Sequence, residues 1–264
     1  MLLVLDIGNT NASIGIFEGG EAKTGELAVQ ARFSSIDRTS DEAGLMLNSL
    51  LCSNRVSKDG IDGAILCSVV PSLEAVWRNA IMEYIGVVPI TVSDKLDLGM
   101  SVDMDFPGEV GADRLANAVG AAEKYGCPVV AVDLGTAINI DVVSGDGSYI
   151  GGAIAPGLST SVNTLFSKTA KLPQVALEAP PSAIGKNTVT AIQSGIVYGY
   201  TGLVDELVRR ILSELGTEAT VVATGGHAEI LAAESATVKI VDRRLTLDGL
   251  RAIYLRNKAG GADA

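Results

Sequence analysis

The chain has 264 residues, of which 47% are hydrophobic and 19% charged, and its formal net charge is −11. This length accommodates one large domain or two smaller ones that each bury a core. The acidic balance argues against nucleic acid as a partner, because phosphate backbones are bound by clustered Lys and Arg. No apolar run approaches the ~20 residues that a membrane span needs, so we expect no membrane partner either.

The cysteines and the first residues bear on location. Cys52, Cys67 and Cys127 are odd in number and far apart, without a CxxC pair. We therefore expect three buried small hydrophobic side chains and not a disulfide framework or a metal site. The sequence opens on the apolar run MLLVLD, without a basic segment or a cleavage-site pattern. Both features favour a cytoplasmic protein.

The first half of the chain alternates strand and helix patterns. Paired strands over residues 2–17 are followed by a third strand at 28–33. Thr39 and Glu42 have the spacing of a capping box and predict a helix start, and the apolar positions of this helix are Leu45, Leu47, Leu50 and Leu51. The remaining predictions are a strand at 63–69, a helix from Pro71 to Gly86, a strand at 87–92 and a helix at 110–125.

The second half repeats this order. Strands are predicted at 129–134, 138–143 and 149–154, and a helix follows Pro156 and Gly157. A long helix at 190–215, a strand at 220–223, a helix at 228–233, a strand at 237–240 and a helix at 246–257 complete the pattern, and 258–264 is predicted as a frayed tail. The repeat predicts an α/β fold with two ribonuclease-H-like domains, at residues 1–118 and 119–264.

Two segments at equivalent places in the halves carry nearly the same sequence. Residues 2–17 read LLVLDIGNTNASIGIF and residues 129–143 read VVAVDLGTAINIDVV. Each is an apolar strand that ends in Asp, passes through Gly and Thr, and continues as a second strand. Glycine lets backbone N–H groups approach a phosphate, the Thr hydroxyl adds a donor, and the Asp must face a cation or its water shell. Two such hairpin tips facing each other predict a cleft for a nucleotide and its metal, and the pattern resembles the sugar-kinase, heat-shock-chaperone and actin superfamily of ATPases.

Two further glycine-containing stretches suit such a cleft. Asp113 and Arg114 follow Gly111 and Ala112 at a helix start, where most Asp-Arg pairs are structural. A kinase acting on an alcohol needs a carboxylate near the hydroxyl and a cation for an anionic substrate, and this dipeptide can supply both. The stretch ATGGH at 223–227 follows a strand and precedes a helix, so adenosine would rest on its glycine pair if the stretch is more than a plain turn.

Eight ordered motifs make the resemblance specific. They are DIGNTN at 6–11, VGADR at 110–114, VDLGTA at 132–137, GGAIAPG at 151–157, IGKNT at 184–188, QSGIVYGY at 193–200, ATGG at 223–226 and LTLDGL at 245–250. They resemble the type III pantothenate kinase family from residue 1 to about residue 257. The resemblance implies a homodimer that transfers the γ-phosphate of ATP to pantothenate, the first step of coenzyme A synthesis. It also implies a divalent metal such as Mg²⁺ and a monovalent cation, K⁺ or NH₄⁺.

The resemblance assigns a role to each motif. Asp113 would accept the proton and Asp133 would ligate the monovalent cation, while Asp6 would hold the divalent metal through water. Pantothenate would contact Gly111, Ala112, Arg114, Met104 and Thr188, the last across a dimer interface. ATP and its phosphates would contact Asp6, Ile7, Gly8, Asn9, Thr10, Asn11, Ala12, Ser13, Thr136, Gly225 and Gly226.

The chain departs from the family pattern at two places. Met104 stands where the family has a Tyr that contacts pantothenate, and Phe106 is aromatic but shifted by two positions. Ile138 and Asn139 replace two hydroxyl residues of the second hairpin. These changes bear on the affinity for pantothenate or on the choice of a related small alcohol.

Other interpretations remain open from the sequence. One alternative is a non-catalytic family member that binds ATP and regulates a partner, and another is an ATPase or phosphatase of the wider superfamily. His227 is interpreted as a residue beside the nucleoside and not as a catalytic base. The carboxylates of Asp97, Asp103, Asp105 and Glu109 are interpreted as a solvated loop and not as a metal site.

Overall fold

The computed structural model describes residues 1–19, 25–168 and 173–258. The chain divides into two compact units. The first comprises Met1–Glu123 and the chain from Thr246 onward, and the second comprises Lys124–Leu245. Each unit is built on one five-stranded sheet. The tail predicted at 258–264 lies, after Lys258, outside the described residues.

The sheet of the first unit combines an antiparallel meander with two parallel strands, in the order β3-β2-β1-β4-β5. The meander is β1 (Leu2–Ile7), β2 (Asn11–Phe17) and β3 (Leu27–Ser34). Strands β4 (Gly63–Ser68) and β5 (Ile90–Thr91) continue the sheet in parallel with β1. Parallel neighbours need crossover connections, and two helices provide them. They are α1 (Ser40–Ser53) and α2 (Pro71–Ala80).

Both crossover helices begin where their sequences predict, and the second also ends at the predicted residue. Thr39 and Glu42 form the reciprocal capping box at the start of α1. A π-helical turn over Ile81–Ile85 extends α2, and Gly86 ends it in the left-handed conformation at φ 87°. Leu47 and Leu51 are buried as predicted, but Leu45 is 63% exposed, so the predicted apolar face of α1 was too wide.

The other face of this sheet is covered by α7 (Leu245–Lys258), against which α3 (Ala112–Tyr125) packs. A Cβ atom built on Gly249 would collide with the Ala116 carbonyl oxygen, so the backbones of the two helices are in close contact. Thr246 donates a hydrogen bond to the Asn117 side chain at 2.7 Å. The last helix therefore packs within the first unit, while the division at residues 118 and 119 remains a prediction.

The second unit repeats the plan of the first. Its sheet has the order β8-β7-β6-β9-β10. Each strand in this order is the counterpart of the strand at the same position in the sheet of the first unit, β3-β2-β1-β4-β5. The strands are β6 (Val129–Leu134), β7 (Ala137–Val143), β8 (Tyr149–Pro156), β9 (Thr220–Thr224) and β10 (Ile240–Val241). The helices are α4 (Leu158–Ser167), α5 (Thr188–Leu215) and α6 (Ala228–Glu234). The predicted duplication of an α/β unit is confirmed.

The two edge strands are shorter than predicted. The strand expected at 87–92 is limited to Ile90–Thr91, and Pro89 before it has no N–H group for a sheet ladder. The strand expected at 237–240 is displaced to Ile240–Val241. The amide and the hydroxyl of Thr237 both bind the Asp205 carboxylate, so this residue does not extend the sheet.

Only one of the three cysteines fits the prediction of buried hydrophobic side chains. Cys67 is buried, whereas Cys52 and Cys127 are exposed. Cys52 lies near the end of α1, and Cys127 lies in the turn between α3 and β6. In the described part of the chain, no helix combines the length and the apolar character that a membrane crossing requires.

Candidate active site

The first hairpin tip, residues 6–11, joins β1 to β2. The Gly8 amide donates to the Asn11 carbonyl oxygen at 3.0 Å and closes the turn. Asn9, Thr10 and Asn11 are exposed, while Ile7 and Ala12 are buried on the adjoining strands. The tip therefore offers backbone and side-chain donors to solvent from a rigid sheet end, which suits an anion.

Asp6 lies at the base of this tip in an unusual electrostatic environment. Its Oδ1 accepts a hydrogen bond from the Cys67 thiol on β4 at 3.3 Å. Burial and the charge of Asp113 raise the pKa of Asp6 to about 7, against the opposing effects of the Cys67 hydrogen bond and the charge of Arg32. Asp6 and Asp113 are thus electrostatically coupled carboxylates of the same unit.

Asp113 is the second residue of α3. Its Oδ1 accepts a hydrogen bond from the Arg114 amide at 2.8 Å. A Cβ atom on Gly111 would come within 2.6 Å of the same oxygen, so the carboxylate folds back over the glycine. Burial raises the pKa of Asp113 above its ordinary value, although the Arg114 amide and guanidinium oppose this. A carboxylate with a raised pKa is a better proton acceptor near neutral pH.

The Asp6 environment fits a divalent cation held mostly by water and phosphate. The pKa of Asp6 is raised in part because a second carboxylate is near, and a bound cation would neutralise the negative charge of this pair. Among the described residues, no cluster of three or more His, Cys, Asp or Glu side chains could form an all-protein metal cage. Mg²⁺ typically takes one or two carboxylates and completes its shell with water and phosphate oxygens.

The second hairpin tip, residues 133–137, joins β6 to β7 in the second unit. The Gly135 amide donates to the Ala137 carbonyl oxygen at 3.0 Å, as Gly8 does to Asn11 in the first tip. Thr136 is exposed and Asp133 is half-buried. Asp133 is paired with Thr224 on β9, just as Asp6 is paired with Cys67 on β4. The two tips are structural counterparts.

A glycine turn, residues 225–227, lies directly against the second hairpin tip. Gly225 has φ +93°, and a Cβ atom there would come within 2.6 Å of Asp133 Oδ1 and 2.7 Å of the Leu134 backbone. The His227 amide donates to the Leu134 carbonyl oxygen at 3.2 Å. The structure therefore brings Asp133, Thr136 and the glycine pair together within the second unit.

The replaced residues of the second hairpin differ in their environment. Ile138 is fully buried in the hydrophobic core of the second unit. Asn139 is only partly buried and pairs with Asp133 across β6 and β7. Of the two, Asn139 is the one placed to affect the neighbourhood of Asp133.

The predicted pantothenate residues Met104 and Thr188 belong to a loop and to a helix start outside the hairpin tips. Met104 is partly exposed in the loop between β5 and α3, and Asn257 of α7 holds this loop by two hydrogen bonds to the Asp97 backbone, at 3.0 and 2.9 Å. Thr188 is the exposed first residue of α5, whose Asn187 cap binds the Thr190 amide at 2.9 Å. The four acidic residues of the loop, Asp97, Asp103, Asp105 and Glu109, are exposed.

Two contacts at the site were not expected from sequence. The sequence predicts that Cys67 is a core side chain, and in the structure its thiol also donates a hydrogen bond to Asp6. The signal was available, because LDI at the end of β1 and LCS at the end of β4 place Asp6 and Cys67 at the same register position. His227 binds Ser159 on α4 at 2.7 Å, and no sequence signal connects these two residues.

Comparison with known proteins identifies the family. The profile of the type III pantothenate kinase family matches residues 2–210. A type III pantothenate kinase of Pelobacter propionicus is 46% identical over 98% of this chain and 100% of its own length. The chain belongs to the type III pantothenate kinase family. The resemblance carried by the eight ordered motifs is thereby confirmed.

Solved structures with lower identity share the fold. Component A of the (R)-2-hydroxyglutaryl-CoA dehydratase of Acidaminococcus fermentans superposes with a TM-score of 0.57 at 16% identity, covering 98% of both chains. An inorganic polyphosphate/ATP-glucomannokinase of an Arthrobacter strain superposes with a TM-score of 0.50 at 14% identity, again covering 98% of both chains. The predicted fold class, duplicated ribonuclease-H-like domains of the actin and sugar-kinase ATPase type, is confirmed.

Proposed function

We propose that the protein transfers the γ-phosphate of ATP to the primary hydroxyl of pantothenate, the first step of coenzyme A synthesis. Membership of the type III pantothenate kinase family, with a match over the whole chain to a relative of that name, carries this proposal. The coupled carboxylates of Asp6 and Asp113 support it, because phosphoryl transfer to an alcohol needs both phosphate binding and a proton acceptor.

Asp113 is the proton acceptor in this proposal. As the pantothenate oxygen forms its bond to the γ-phosphorus, the bond from that phosphorus to the bridging oxygen breaks and ADP leaves. The hydroxyl proton passes to an Asp113 carboxylate oxygen. The raised pKa of Asp113 favours this transfer, and the hydrogen bond from the Arg114 amide fixes the orientation of the carboxylate. Gly111, Ala112, Arg114, Met104 and Thr188 are the proposed pantothenate contacts.

The two hairpin tips and the glycine turn are the proposed ATP contacts. Residues 6–13 would bind the phosphates, because the tip of this segment exposes the polar side chains of Asn9, Thr10 and Asn11, which suit anionic oxygens. Thr136 would add a hydroxyl contact to ATP. Gly225 and Gly226 would lie against the adenosine, where the absence of a Cβ atom lets a flat ring approach the backbone.

Two cations belong to the proposal. Asp6 would hold the hydration shell of a divalent metal such as Mg²⁺, which supplies neutralisation of the phosphate charge when bound. Asp133 would ligate a monovalent cation, K⁺ or NH₄⁺. Its half-buried carboxylate at a strand end, beside the exposed Thr136, is a suitable oxygen ligand. We also propose that the protein is a cytoplasmic homodimer and has neither nucleic acid nor a membrane as a partner.

One observation favours a second substrate. Met104 has a thioether where the family pattern has a phenol, so a hydroxyl contact to pantothenate is missing from the loop between β5 and α3. A substrate without the group of pantothenate that contacts this phenol would not bind more weakly because of Met104. A kinase of a related small primary alcohol is therefore the second candidate.

A coupled assay of ADP release tests the proposal. We expect ADP release that depends on pantothenate and that is faster in potassium than in sodium buffer. A panel of other small primary alcohols at the same concentration is the comparison. Equal ADP release with and without pantothenate, or none at all, contradicts the proposal, and a higher kcat/KM for another alcohol supports the second candidate.

A further inference from the structure

The second hairpin tip, the start of α4 and the glycine turn are linked in a closed ring of contacts. The Thr136 carbonyl oxygen accepts hydrogen bonds from the Gly157 amide at 3.1 Å and from the Thr160 hydroxyl at 2.7 Å. These bonds fix the first turn of α4 on the tip. The His227 amide fixes the glycine turn on the same tip through the Leu134 carbonyl oxygen.

One side-chain contact completes this ring. Ser159, the second residue of α4, lies 2.7 Å from Nε2 of His227, measured from its Oγ. His227 does not cap α6 with its side chain, although it occupies the capping position. Its imidazole binds Ser159 of α4 instead, which lies 68 residues away along the chain.

The bond is independent of the tautomer and the charge of the imidazole. A serine hydroxyl can donate to an unprotonated ring nitrogen or accept from a protonated one. Burial lowers the pKa of His227 below its ordinary value, which favours the neutral ring. A neutral, partly buried imidazole with a fixed partner is suited to hold two elements together.

We propose that Ser159 and His227 form a positioning pair that fixes the glycine turn relative to the second hairpin tip. This inference rests on the proposed function, in which the tip contacts ATP through Thr136 and the turn lies against the adenosine. The pair sets the spacing between these two groups of ATP contacts. His227 is thereby a positioning residue and not a proton acceptor.

The choice of variants separates positioning from simple packing. Ser159→Ala removes the hydroxyl, and His227→Leu removes the ring nitrogens while it keeps an apolar side chain. His227→Gln retains a donor and an acceptor at a similar reach. Ser167→Ala is the matched control, because Ser167 lies on the same helix and its exposed hydroxyl donates to the Thr164 carbonyl oxygen of that helix, at 3.0 Å.

Two readouts test the pair in the full-length protein. The first is the Kd for ADP by isothermal titration calorimetry, which does not require turnover. We expect Ser159→Ala and His227→Leu each to raise this Kd about threefold to tenfold, the range of one neutral hydrogen bond. The double variant should be no worse than the single ones, and His227→Gln should recover part of the loss. The second readout is the steady-state assay. In this assay KM for ATP should rise by a much larger factor than KM for pantothenate, and by a larger factor than that by which kcat falls.

Distinct outcomes overturn the pair and the proposed function. If Ser159→Ala and His227→Leu bind ADP as tightly as Ser167→Ala does, or if the parent protein does not bind ADP, the positioning pair is refuted. Additive losses in the double variant refute it as well. A collapse of kcat at saturating ATP would make His227 a catalytic residue instead. If the variants change the Kd for ADP as expected but the protein does not phosphorylate pantothenate, the positioning pair stands and the proposed substrate is rejected.

Discussion

The Cys67 thiol donates a hydrogen bond to Asp6 across the parallel strands β4 and β1, with 3.3 Å between Sγ and Oδ1. This bond favours the charged form of Asp6, while burial and the charge of Asp113 disfavour it. A buried cysteine at this position therefore adjusts the carboxylate proposed to face the metal and phosphates of ATP.

Removing the Cys67 donor is expected to weaken ATP use. Cys67→Ala should raise KM for ATP about threefold to tenfold, because Asp6 loses a hydrogen bond to its charged form. Cys67→Ser keeps a donor of similar reach and should stay within about twofold of the parent enzyme. Melting temperatures of both variants control for packing at this fully buried position. Equal KM values for the two variants would show that Cys67 only fills space.

Asp113→Asn is expected to abolish most turnover while the fold survives. The change is isosteric and keeps an oxygen to accept the Arg114 amide. Turnover should fall about 10²–10⁴-fold, the usual contribution of a general base, with little change in KM for pantothenate. Asp59→Asn, at an exposed position of the same unit, is the control. A near-normal kcat in Asp113→Asn would leave Asp113 with a structural role.

The response to monovalent cations tests the role of Asp133. Activity should rise when potassium or ammonium replaces sodium, and Asp133→Ala should flatten this response and weaken substrate binding. A carboxylate and a phosphate repel at short range unless a cation lies between them, so the Asp133 side chain needs such a partner. Glu218→Ala, an exposed change in the same unit, should keep the cation response. Equal rates of the unmodified enzyme in sodium, potassium and ammonium would disprove the monovalent site.

Asp205 is expected to link stability of the second unit to pH. Burial acts to raise its pKa, but hydrogen bonds from Ser235, Thr237 and the Ala236 amide outweigh it and hold the pKa below the ordinary value. A lowered folded-state pKa means that this stabilisation is complete above about pH 4 and is lost as the pH falls through the folded value.

The measurement is the free energy of unfolding in urea. Asp205→Asn should lower it by about 1–3 kcal/mol near neutral pH, because an amide cannot accept all these hydrogen bonds. The difference between the variant and the parent should shrink as the pH falls below about 4 and then through the lowered folded-state pKa of Asp205. Glu218→Ala should show no such pH-dependent difference. A constant difference across this range would mean that the Asp205 charge makes no contribution.

The repeated elements were predictable because each carries a strong local signal. The buried strands of both hairpins are continuous apolar runs, and Thr39 with Glu42 marks the start of α1. The edge strands were not predictable in extent, because their pairing depends on what else their residues bind. Thr237 illustrates this, since its amide binds Asp205 and not a neighbouring strand.

At the candidate site, too, the sequence predicted the residues with a local signal but not their distant contacts. Motifs located Asp6, Asp113, Asp133 and the glycine pair, because each follows a recognisable strand or begins a helix. The contacts that adjust these residues come from distant parts of the chain. Cys67 is 61 residues from Asp6, and a single sequence contains no information on such pairs beyond strand register.

The position of α7 has a consequence for how this protein is made. Leu247, Leu250 and Ile253 are buried, and a Cβ atom at Gly63 of β4 would collide with the Tyr254 hydroxyl oxygen. The first unit thus obtains one of its covering helices from a part of the chain that is synthesised after the second unit. During translation one face of its sheet stays uncovered until the second unit and then α7 have been synthesised. Chains truncated before α7 would therefore expose this apolar face and be prone to aggregation.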